Sequence, residues 1–364
     1  MRVIQMTAER FRNLQSVCLQ PAPDCNVIVG ENAQGKTNIL EAIWLFTGGK
    51  SFRGAKDGEM VAFDQPDALL QMDFFAAGRE QTAQVRIDKG RSVCLNGLEW
   101  TSPAKLAGHF CGIVFSPTHL QLIKDGPEQR RRFLDAAYCQ VRPAYLSALA
   151  TYLHILRQRN TLLKDCRGHR DLEDLLQVFT EKLVSAAAQV WAARTDYVRQ
   201  LAPLAAEIYG GISGQREKMT VTYDGTVDLS GEPSAWPEKL QAALEQAWQQ
   251  DIVMGCTTVG PHRDDLRIEI DGKPARAYGS QGQQRSAVLA LKLAEASLLR
   301  QATQEQPIAL LDDVMSELDP SRQEYVLNHI RDWQVFITCC DPSALLRMKS
   351  GKQFHMERGT LKEG

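Results

Sequence analysis

The sequence predicts an α/β fold in which both ends of the chain build one lobe and an α-helical lobe is inserted between them. Three observations support this prediction. A glycine-rich loop follows an apolar strand near the N-terminus, acidic residues end a second apolar strand near the C-terminus, and a long stretch of helical periodicity separates the two. We expect the N-terminal part of the first lobe at residues 1–118, the helical lobe at 119–215 and the C-terminal part at 216–364.

The glycine-rich loop, GENAQGKT, fits the pattern G-x-x-x-x-G-K-[ST] at each fixed position. An apolar run at residues 27–29 predicts a strand before it, and the apolar face of NILEAIWLF predicts a helix after it. Such loops surround phosphates with N–H groups, and Lys36 and Thr37 would contact the β/γ-phosphates and Mg²⁺. The predicted ATP site comprises Gly30, Glu31, Asn32, Ala33, Gln34, Gly35, Lys36, Thr37 and Asn38.

The acidic strand end lies in PIALLDDVMSELDP, residues 307–320. Residues 308–311 carry no polar side chain, so they predict a buried strand that ends at Asp312. Ligands of open α/β sheets bind at the carboxyl ends of strands. We therefore predict Asp312 as a second Mg²⁺ ligand and Asp313 as the base that orients water. The alternative is that Asp313 is only solvated or caps a turn.

The segment YGSQGQQR, residues 278–285, places a flexible turn before a helix and predicts a second anion-binding helix start. One nucleotide needs only one glycine-rich loop. We therefore interpret this turn as a contact to the ATP of another copy of the chain. The alternative is an ordinary capped helix.

The helical stretch contains two seams of near-heptad spacing separated by the polar segment DCRGHRD, residues 165–171. This pattern predicts an antiparallel, coiled-coil-like hairpin that projects as an arm, and the alternative is a layer inside a helical bundle. The first seam comprises Tyr145, Leu149, Tyr152, Leu156 and Leu163. The second comprises Leu172, Leu176, Phe179, Leu183, Ala186, Val190, Ala193 and Tyr197.

Net charge, apolar runs and cysteine spacing indicate which classes of protein fit this sequence. The formal net charge of −2 does not favour binding to nucleic acid over the whole surface, but it leaves room for a local basic face. No apolar run reaches the roughly 20 residues of a membrane span, so we expect a cytoplasmic protein. The nine cysteines form no C-x-x-C pair, which predicts reduced thiols.

The order of the glycine-rich loop, the SQGQQR turn, LLDD and SELD resembles the ABC-type ATPase head of SMC-like proteins. The chain is identified as a member of the RecF family of bacterial recombinational-repair ATPases. The further segments that carry this resemblance are FRNL (11–14), KSFRG (50–54), VFSPTHLQLIKDGPEQRRRFLD (114–135) and TTVGPHRDDL (257–266). The resemblance implies an ABC-type lobe with a helical lobe.

The resemblance also implies a function. RecF-like proteins dimerise with ATP bound between the P-loop of one subunit and the signature turn of the other. ATP binding favours association with double-stranded and gapped DNA, and slow, DNA-stimulated hydrolysis reverses it. Together with RecR and RecO, these proteins bring RecA to gapped DNA.

By position, the resemblance assigns Lys36 and Asp313 to catalysis and Asp319 to the D-loop. It assigns Ser280, Gly282 and Gln283 to the signature that contacts ATP in trans. Gln281 replaces the glycine of transporters and Thr338 replaces their switch histidine, which weakens the interpretation as a transporter-type subunit. A Q-loop residue is expected near residues 115–116. A self-contained kinase or other NTPase, which would need no second subunit, is the remaining alternative.

Several basic residues have both a functional and a structural interpretation. Candidate contacts to DNA or nucleotide are Arg12, Arg53, Arg130, Arg131 and Arg132. Surface or helix-start roles are the alternatives for all five. The roles of His262 and Arg263, in the turn before a predicted strand, stay open between a plain loop and a functional site.

Overall fold

A computed structural model of the protein describes residues 1–165, 172–340 and 351–364. Its internal contacts divide the chain into two units. The first comprises Met1–Gln121, Glu207–Arg216 and Gln284–Gly364, and the second comprises Leu122–Ala206 and Glu217–Gln283. Both chain ends therefore lie in one unit, as the fold prediction requires.

The first unit contains a mixed sheet that carries the glycine-rich loop. Its strands are β3 (Cys25–Val29), β8 (Gly112–Phe115), β12 (Ile308–Asp312), β13 (Val335–Cys339), β14 (Lys352–Glu357) and β15 (Thr360–Glu363). They follow the order β15-β14-β3-β13-β12-β8, and all neighbouring strands are parallel except β14 and β15. The strand that precedes the loop and the strand that ends in Asp312 are thus separated only by β13.

A second sheet of this unit is antiparallel. Its strands are β1 (Arg2–Phe11), β2 (Leu14–Leu19), β4 (Ala68–Ala76), β5 (Arg79–Ile87), β6 (Arg91–Leu95) and β7 (Leu98–Trp100), in the order β2-β1-β4-β5-β6-β7. The sequence pairs Lys89-Gly90 and Asn96-Gly97 predict hairpin turns, and the structure confirms them between β5 and β6 and between β6 and β7. Alternating strand residues share one apolar core with helix α1 (Lys36–Leu45), where Ile39 and Ile43 are fully buried.

The second unit combines helices with a small sheet. Its strands β9 (Met219–Asp224), β10 (Asp265–Ile270) and β11 (Lys273–Pro274) are antiparallel in the order β11-β10-β9. Among the described residues of both units, the further helices are α2 (Gln121–Lys124), α3 (Pro127–Val141), α4 (Tyr145–Asp165), α5 (Glu173–Ser213), α6 (Trp236–Gln246), α7 (Trp248–Met254), α8 (Ala275–Tyr278), α9 (Gln281–Thr303) and α10 (Pro320–His329).

The predicted helix hairpin corresponds to α4 and α5. Leu163 clusters with Leu176, and Arg159 Nε donates to Thr180 Oγ1 at 3.0 Å, so the two helices run antiparallel. The apolar residues of α4 and α5 also contact other helices, because Trp236 of α6 and Ile252 of α7 pack into the same apolar clusters. This packing corresponds to the bundle alternative rather than to an isolated arm. Residues 166–171 of the predicted polar break lie outside the described residues.

The expected boundary at residue 216 differs from the structure. Residues 217–283 belong to the second unit, because β9 and β10 pair with each other and Asp265 of β10 forms an ion pair with Arg130 of α3. The second unit therefore contains more than the stretch of helical periodicity, because residues 217–283 also belong to it. Within the described part of the chain, no helix combines the length and apolarity needed to cross a membrane, and no described cysteine forms a disulfide.

Candidate functional site

The glycine-rich loop connects β3 to α1 in a conformation that requires its two fixed glycines. A Cβ atom at Gly30 would lie 2.4 Å from the carbonyl oxygen of Met356. Gly35 has φ +116°, and a Cβ there would lie 2.7 Å from Asn13 Oδ1. Larger residues at either position would clash and, at position 35, adopt a strained backbone. The cradle that these glycines leave fits a phosphate-rich ligand.

The Lys36 ammonium lies inside this loop. Its Nζ atom donates to the carbonyl oxygens of Gly30 at 2.6 Å and of Glu31 at 2.9 Å, and it lies 3.5 Å from Cys340 Sγ. Lys36 is only 5% exposed, so its charge is held at the centre of the loop. Phosphate oxygens are stronger partners for an ammonium than neutral carbonyl groups. The loop therefore has a positive centre suited to an anionic ligand.

Thr37 and Asp312 provide oxygen atoms at the start of α1 and the end of β12. Thr37 Oγ1 donates to Asp312 Oδ1 at 2.7 Å. Burial raises the pKa of the Asp312 carboxyl, and hydrogen bonds from Thr37 and Thr338 oppose that rise. Hard oxygen ligands of this kind suit Mg²⁺, which usually binds few protein groups and completes its shell with phosphate and water. No cluster of three or more His, Cys, Asp or Glu side chains suited to a metal occurs among the described residues.

Asp313 follows Asp312 but lies in a different environment. Its backbone has φ +54°, and a short 3-10 helix, Val314–Glu317, begins directly after it. Its N–H donates to Thr338 Oγ1 at 3.0 Å, whereas its side chain is half-buried. The two adjacent carboxylates thus differ in exposure, and their division into metal ligand and base stays a prediction.

Contacts from outside the loop fix its shape, and sequence reasoning missed them. Asn13 Nδ2 donates to the carbonyl oxygens of Ala33 and Gln34 at 3.3 and 3.1 Å. The turn between β14 and β15 also contacts Gln34, since Gly359 N–H donates to its carbonyl oxygen and Arg358 N–H to its side chain. Asn13 lies in the FRNL segment, but nothing in the sequence singles out residues 358–359.

The turn before α9 is a capped helix start. Ser280 Oγ accepts from Gln283 N–H at 3.2 Å, and Ser280 N–H donates to Gln283 Oε1 at 2.8 Å. Gln283 Nε2 also donates to Glu217 Oε1 at 2.9 Å. Ser280 and Gln281 are exposed and Gly282 is half-buried. A contact of Ser280, Gly282 and Gln283 to ATP of another copy therefore stays a prediction, although the exposure of Ser280 is compatible with it.

Asp319, the expected D-loop residue, caps helix α10. It accepts from Arg322 N–H at 3.1 Å and forms an ion pair with the Arg322 guanidinium. Arg322 Nε in turn donates to Ser286 Oγ at 2.9 Å. Asp319 itself is exposed, so a contact to a second subunit stays a prediction. Ser116, where a Q-loop residue was expected, is buried and caps the 3-10 helix Pro117–Leu120.

Comparison with known proteins gives the family. The family model described as RecF/RecN/SMC N terminal domain matches residues 2–362. A DNA replication and repair protein RecF from Lactobacillus delbrueckii subsp. bulgaricus is 40% identical, over 97% of this chain and 95% of the relative. The chain belongs to the RecF family. A RecF of Halalkalibacterium halodurans, 37% identical, covers 100% of both chains.

Solved structures agree with this assignment. A structure described as the recombination mediator protein RecF-ATP in the RecFOR pathway superposes with a TM-score of 0.93 and 35% identity, over 100% of this chain and 97% of that one. An Smc head domain with a coiled coil and joint from Pyrococcus yayanosii gives a TM-score of 0.56 at 13% identity. It covers 100% of this chain and 96% of that chain, and it shows the fold alone. The predicted SMC-like ABC ATPase fold is thus confirmed.

Two of the five basic candidates in this RecF-family chain form bidentate ion pairs with a carboxylate of the same unit. Arg130 is 5% exposed and forms a bidentate ion pair with Asp265, while its third nitrogen donates to the carbonyl oxygens of Leu122 and Asp125. Arg12 pairs in the same bidentate way with buried Glu41 and also donates to the carbonyl oxygen of Glu59. These guanidinium groups hold α3 and α1 in place, and a contact of Arg12 or Arg130 to DNA or nucleotide stays a prediction.

The other three basic candidates differ in exposure. Arg131 is half-buried and donates to the carbonyl oxygen of Asp264 at 2.6 Å. Arg132 is exposed and forms an ion pair with Glu128, one helical turn earlier. Arg53 is exposed and donates to Asn38 Oδ1 at 2.9 Å, at the start of α1. Arg132 and Arg53 therefore remain accessible to a ligand.

The TTVGPHRDDL segment of the RecF-family pattern forms a buried polar network. The carboxylate of Asp264, 1% exposed, accepts from Trp191 Nε1, Tyr223 OH and both the N–H and the hydroxyl of Thr226. His262 Nε2 donates to the carbonyl oxygen of Thr257, since that oxygen can only accept, and Nδ1 accepts from Tyr152 OH at 2.6 Å. Burial lowers the pKa of His262 to about 4.

Arg263 is exposed in the same segment but anchored by its own loop. Its Nε atom donates to the carbonyl oxygen of Thr257 at 3.1 Å, and its Nη2 lies 3.3 Å from Cys256 Sγ. The contacts of His262 and Arg263 among the described residues are thus structural contacts within the second unit.

Proposed function

We propose that this chain is an ATP-gated DNA-binding protein of DNA replication and recombinational repair. ATP closes a homodimer on double-stranded or gapped DNA, and slow hydrolysis releases it. The observation that carries the proposal is the joined site of the first unit, where the glycine cradle, Lys36, Thr37 and Asp312 come together. RecF-family membership supports the assignment to DNA repair.

In this proposal the nucleotide replaces internal contacts of the loop. The ammonium of Lys36 exchanges the carbonyl oxygens of Gly30 and Glu31 for phosphate oxygens. Thr37 and Asp312 hold Mg²⁺, which supplies charge neutralisation for the phosphates when it is bound. Asp313 orients the attacking water as the general base.

The second half of the nucleotide site comes from another copy of the chain. Ser280, Gly282 and Gln283 lie at the start of α9, where the positive end of the helix dipole attracts anions. Asp319 supplies the D-loop contact of the same copy. The exposure of Ser280 and Asp319 supports this assignment. Like other RecF proteins by resemblance, the dimer would act with RecR and RecO to bring RecA to gapped DNA.

The variant Asp313→Asn tests the composite site. We expect hydrolysis to fall on the order of 10²-fold, because a general base contributes about that much to the rate. ATP binding should persist, since the loop is intact, and the dimer should live longer. Sedimentation in saturating ATP and Mg²⁺ measures the dimer. A strictly monomeric variant that still binds ATP would exclude ATP-driven dimerisation.

DNA binding tests the gating. Affinity for gapped, single-stranded and double-stranded DNA should be measured with and without ATP and Mg²⁺ over a salt series. We expect ATP to strengthen binding, and Arg132→Ala to reduce the salt slope by about one if Arg132 contacts a phosphate. Binding that is independent of ATP on all three DNAs would contradict the proposal.

A further inference from the structure

Thr338 of β13 connects the two acidic residues that follow one another at the end of β12. Its Oγ1 atom donates to Asp312 Oδ1 at 2.9 Å and accepts from Asp313 N–H at 3.0 Å. Because Thr338 is only 1% exposed, its hydroxyl is not available to a nucleotide in the loop. We infer that Thr338 is a positioning residue, which holds the Mg²⁺-binding carboxylate of Asp312 and the backbone of Asp313 in one fixed relation.

The direction of both hydrogen bonds follows from the chemistry of the groups. A threonine hydroxyl has one proton and can accept through its lone pairs. The Asp313 N–H can only donate, so Thr338 must accept there and direct its own proton to Asp312. The same Asp312 oxygen also accepts from Thr37 Oγ1 at 2.7 Å. When a lone pair of the Thr37 hydroxyl ligates Mg²⁺, Thr338 is a second donor that orients Asp312 from β13, away from the cation.

The backbone conformation of Asp313 explains why the hydrogen bond from its N–H to Thr338 Oγ1 matters. Asp313 has φ +54°, a left-handed conformation that is strained for a residue with a side chain. The hydrogen bond to Thr338 ties down the N–H of this residue just before the chain turns into the 3-10 helix. The direction in which the Asp313 side chain leaves the sheet therefore depends on Thr338.

The parallel register explains why Thr338 lies there. Asp312 of β12 pairs with Thr338 of β13, and Thr338 in turn pairs with Ile28 of β3, two residues before the glycine-rich loop. A polar side chain at this register position of β13 is thus adjacent to the carboxylate and to the loop strand. Groups that orient metal ligands typically change metal affinity or activity about 10- to 100-fold when removed.

The test compares Thr338→Val, which removes the hydroxyl while keeping the shape, with Thr338→Ser, which keeps the hydroxyl. The positioning role of Thr338 rests on the proposed ATP site. The measurements are nucleotide affinity in Mg²⁺ and in EDTA, and the ATPase rate at saturating ATP. We expect Thr338→Val to lose about 10- to 100-fold in Mg²⁺-dependent affinity or rate. Affinity in EDTA should match the unmodified chain, and Thr338→Ser should restore the Mg²⁺-dependent values.

Thr47→Val is the matched control. Thr47 is also buried, and its hydroxyl donates to the carbonyl oxygen of Trp44 at 2.8 Å and accepts from Gly49 N–H at 3.3 Å, away from the acidic residues. It should lower thermal stability without changing the difference between Mg²⁺ and EDTA. If Thr338→Val does not fold, Thr338→Ala removes the same hydroxyl and replaces it in the comparison.

The outcomes separate the two ideas. If the unmodified chain shows no Mg²⁺-dependent nucleotide binding, the proposed function fails, and the positioning role fails with it. If the unmodified chain binds and hydrolyses ATP but Thr338→Val behaves like Thr47→Val in Mg²⁺ and in EDTA, only the positioning role is overturned.

Discussion

Two regions of the molecule concentrate polar side chains within segments of the RecF-family pattern, but they use them differently. In the first unit, the loop at residues 30–38 holds the Lys36 charge with neutral carbonyl groups, which a phosphate can replace. In the second unit, residues 257–266 pair their buried groups with partners such as Trp191 and Tyr223. A family motif therefore marks residue types that matter, and the surrounding partners determine whether they serve a ligand or the core.

The largest expected effect tests the structural side of this comparison. Arg159 and Asp251 are fully buried and paired at 2.8 Å, and Arg159 also donates to Thr257. Arg159→Met leaves the Asp251 charge without its cation, so the free energy of unfolding should fall by about 3–5 kcal/mol. Urea denaturation measures this loss. Nucleotide affinity of the folded variant should stay unchanged.

Arg157→Met is the control for this prediction. Arg157 lies on the same helix but is exposed, and it donates to the carbonyl oxygen of Leu153, so its replacement should change stability by less than about 0.5 kcal/mol. Equal losses of stability for the two variants would contradict the prediction that the buried ion pair between Arg159 and Asp251 stabilises the second unit.

The next effect tests the ligand-binding side. Lys36→Ala removes the buried ammonium and should weaken ATP binding by about 2–5 kcal/mol, roughly the cost of losing one partner of a buried charged hydrogen bond. Lys36→Arg should retain more binding but lose hydrolysis, because the larger guanidinium does not fit the same carbonyl cradle. Calorimetric titration with ATP and Mg²⁺ measures the affinity. If Lys36→Ala bound ATP with unchanged affinity, the loop at residues 30–38 would not use the Lys36 charge for a ligand, and the contrast with the second unit would fail.

The smallest effect concerns pH. The pKa of His262 falls to about 4 on burial, below the roughly 6.5 of an unfolded chain. Between these values the unfolded state binds the extra proton, so the contribution of His262 to stability is complete above pH 6.5 and is lost as the pH drops toward 4, by on the order of 3 kcal/mol. The variant His262→Gln should show a shallower fall over this window in denaturant titrations. A parallel pH profile for both proteins would contradict a buried neutral His262.

Much of the fold was predictable because local signals determine it. The strand, glycine loop and helix at residues 25–45 follow from an apolar run and fixed glycines, and the hairpin turns follow from glycine-containing pairs. The seam from Tyr145 to Tyr197 follows from heptad spacing. The boundary at 216 could not be predicted, because the assignment of residues 217–283 depends on long-range pairing of β9 with β10 and of Arg130 with Asp265.

The candidate site was predictable in part. Residue type and spacing indicated Lys36, Thr37 and Asp312, and the structure brings Thr37 and Asp312 within hydrogen-bond distance. The basic run at residues 130–132 gave no indication of which arginine is buried. Adjacent arginines look equivalent in the sequence. In the structure, helix α3 turns by about 100° per residue and so directs Arg130 and Arg132 to different environments.

The sequence by itself determined the family, the nucleotide loop and the acidic strand end, since each is encoded in contiguous residues whose chemistry is evident without a fold. The tertiary structure decided which polar groups are already used. Glu41 engages Arg12, Asp264 engages Trp191, and Thr338 engages Asp312, although each pair is separated by many residues in the chain. The physical reason is that a buried polar group must find a partner, and only the folded chain brings that partner within reach.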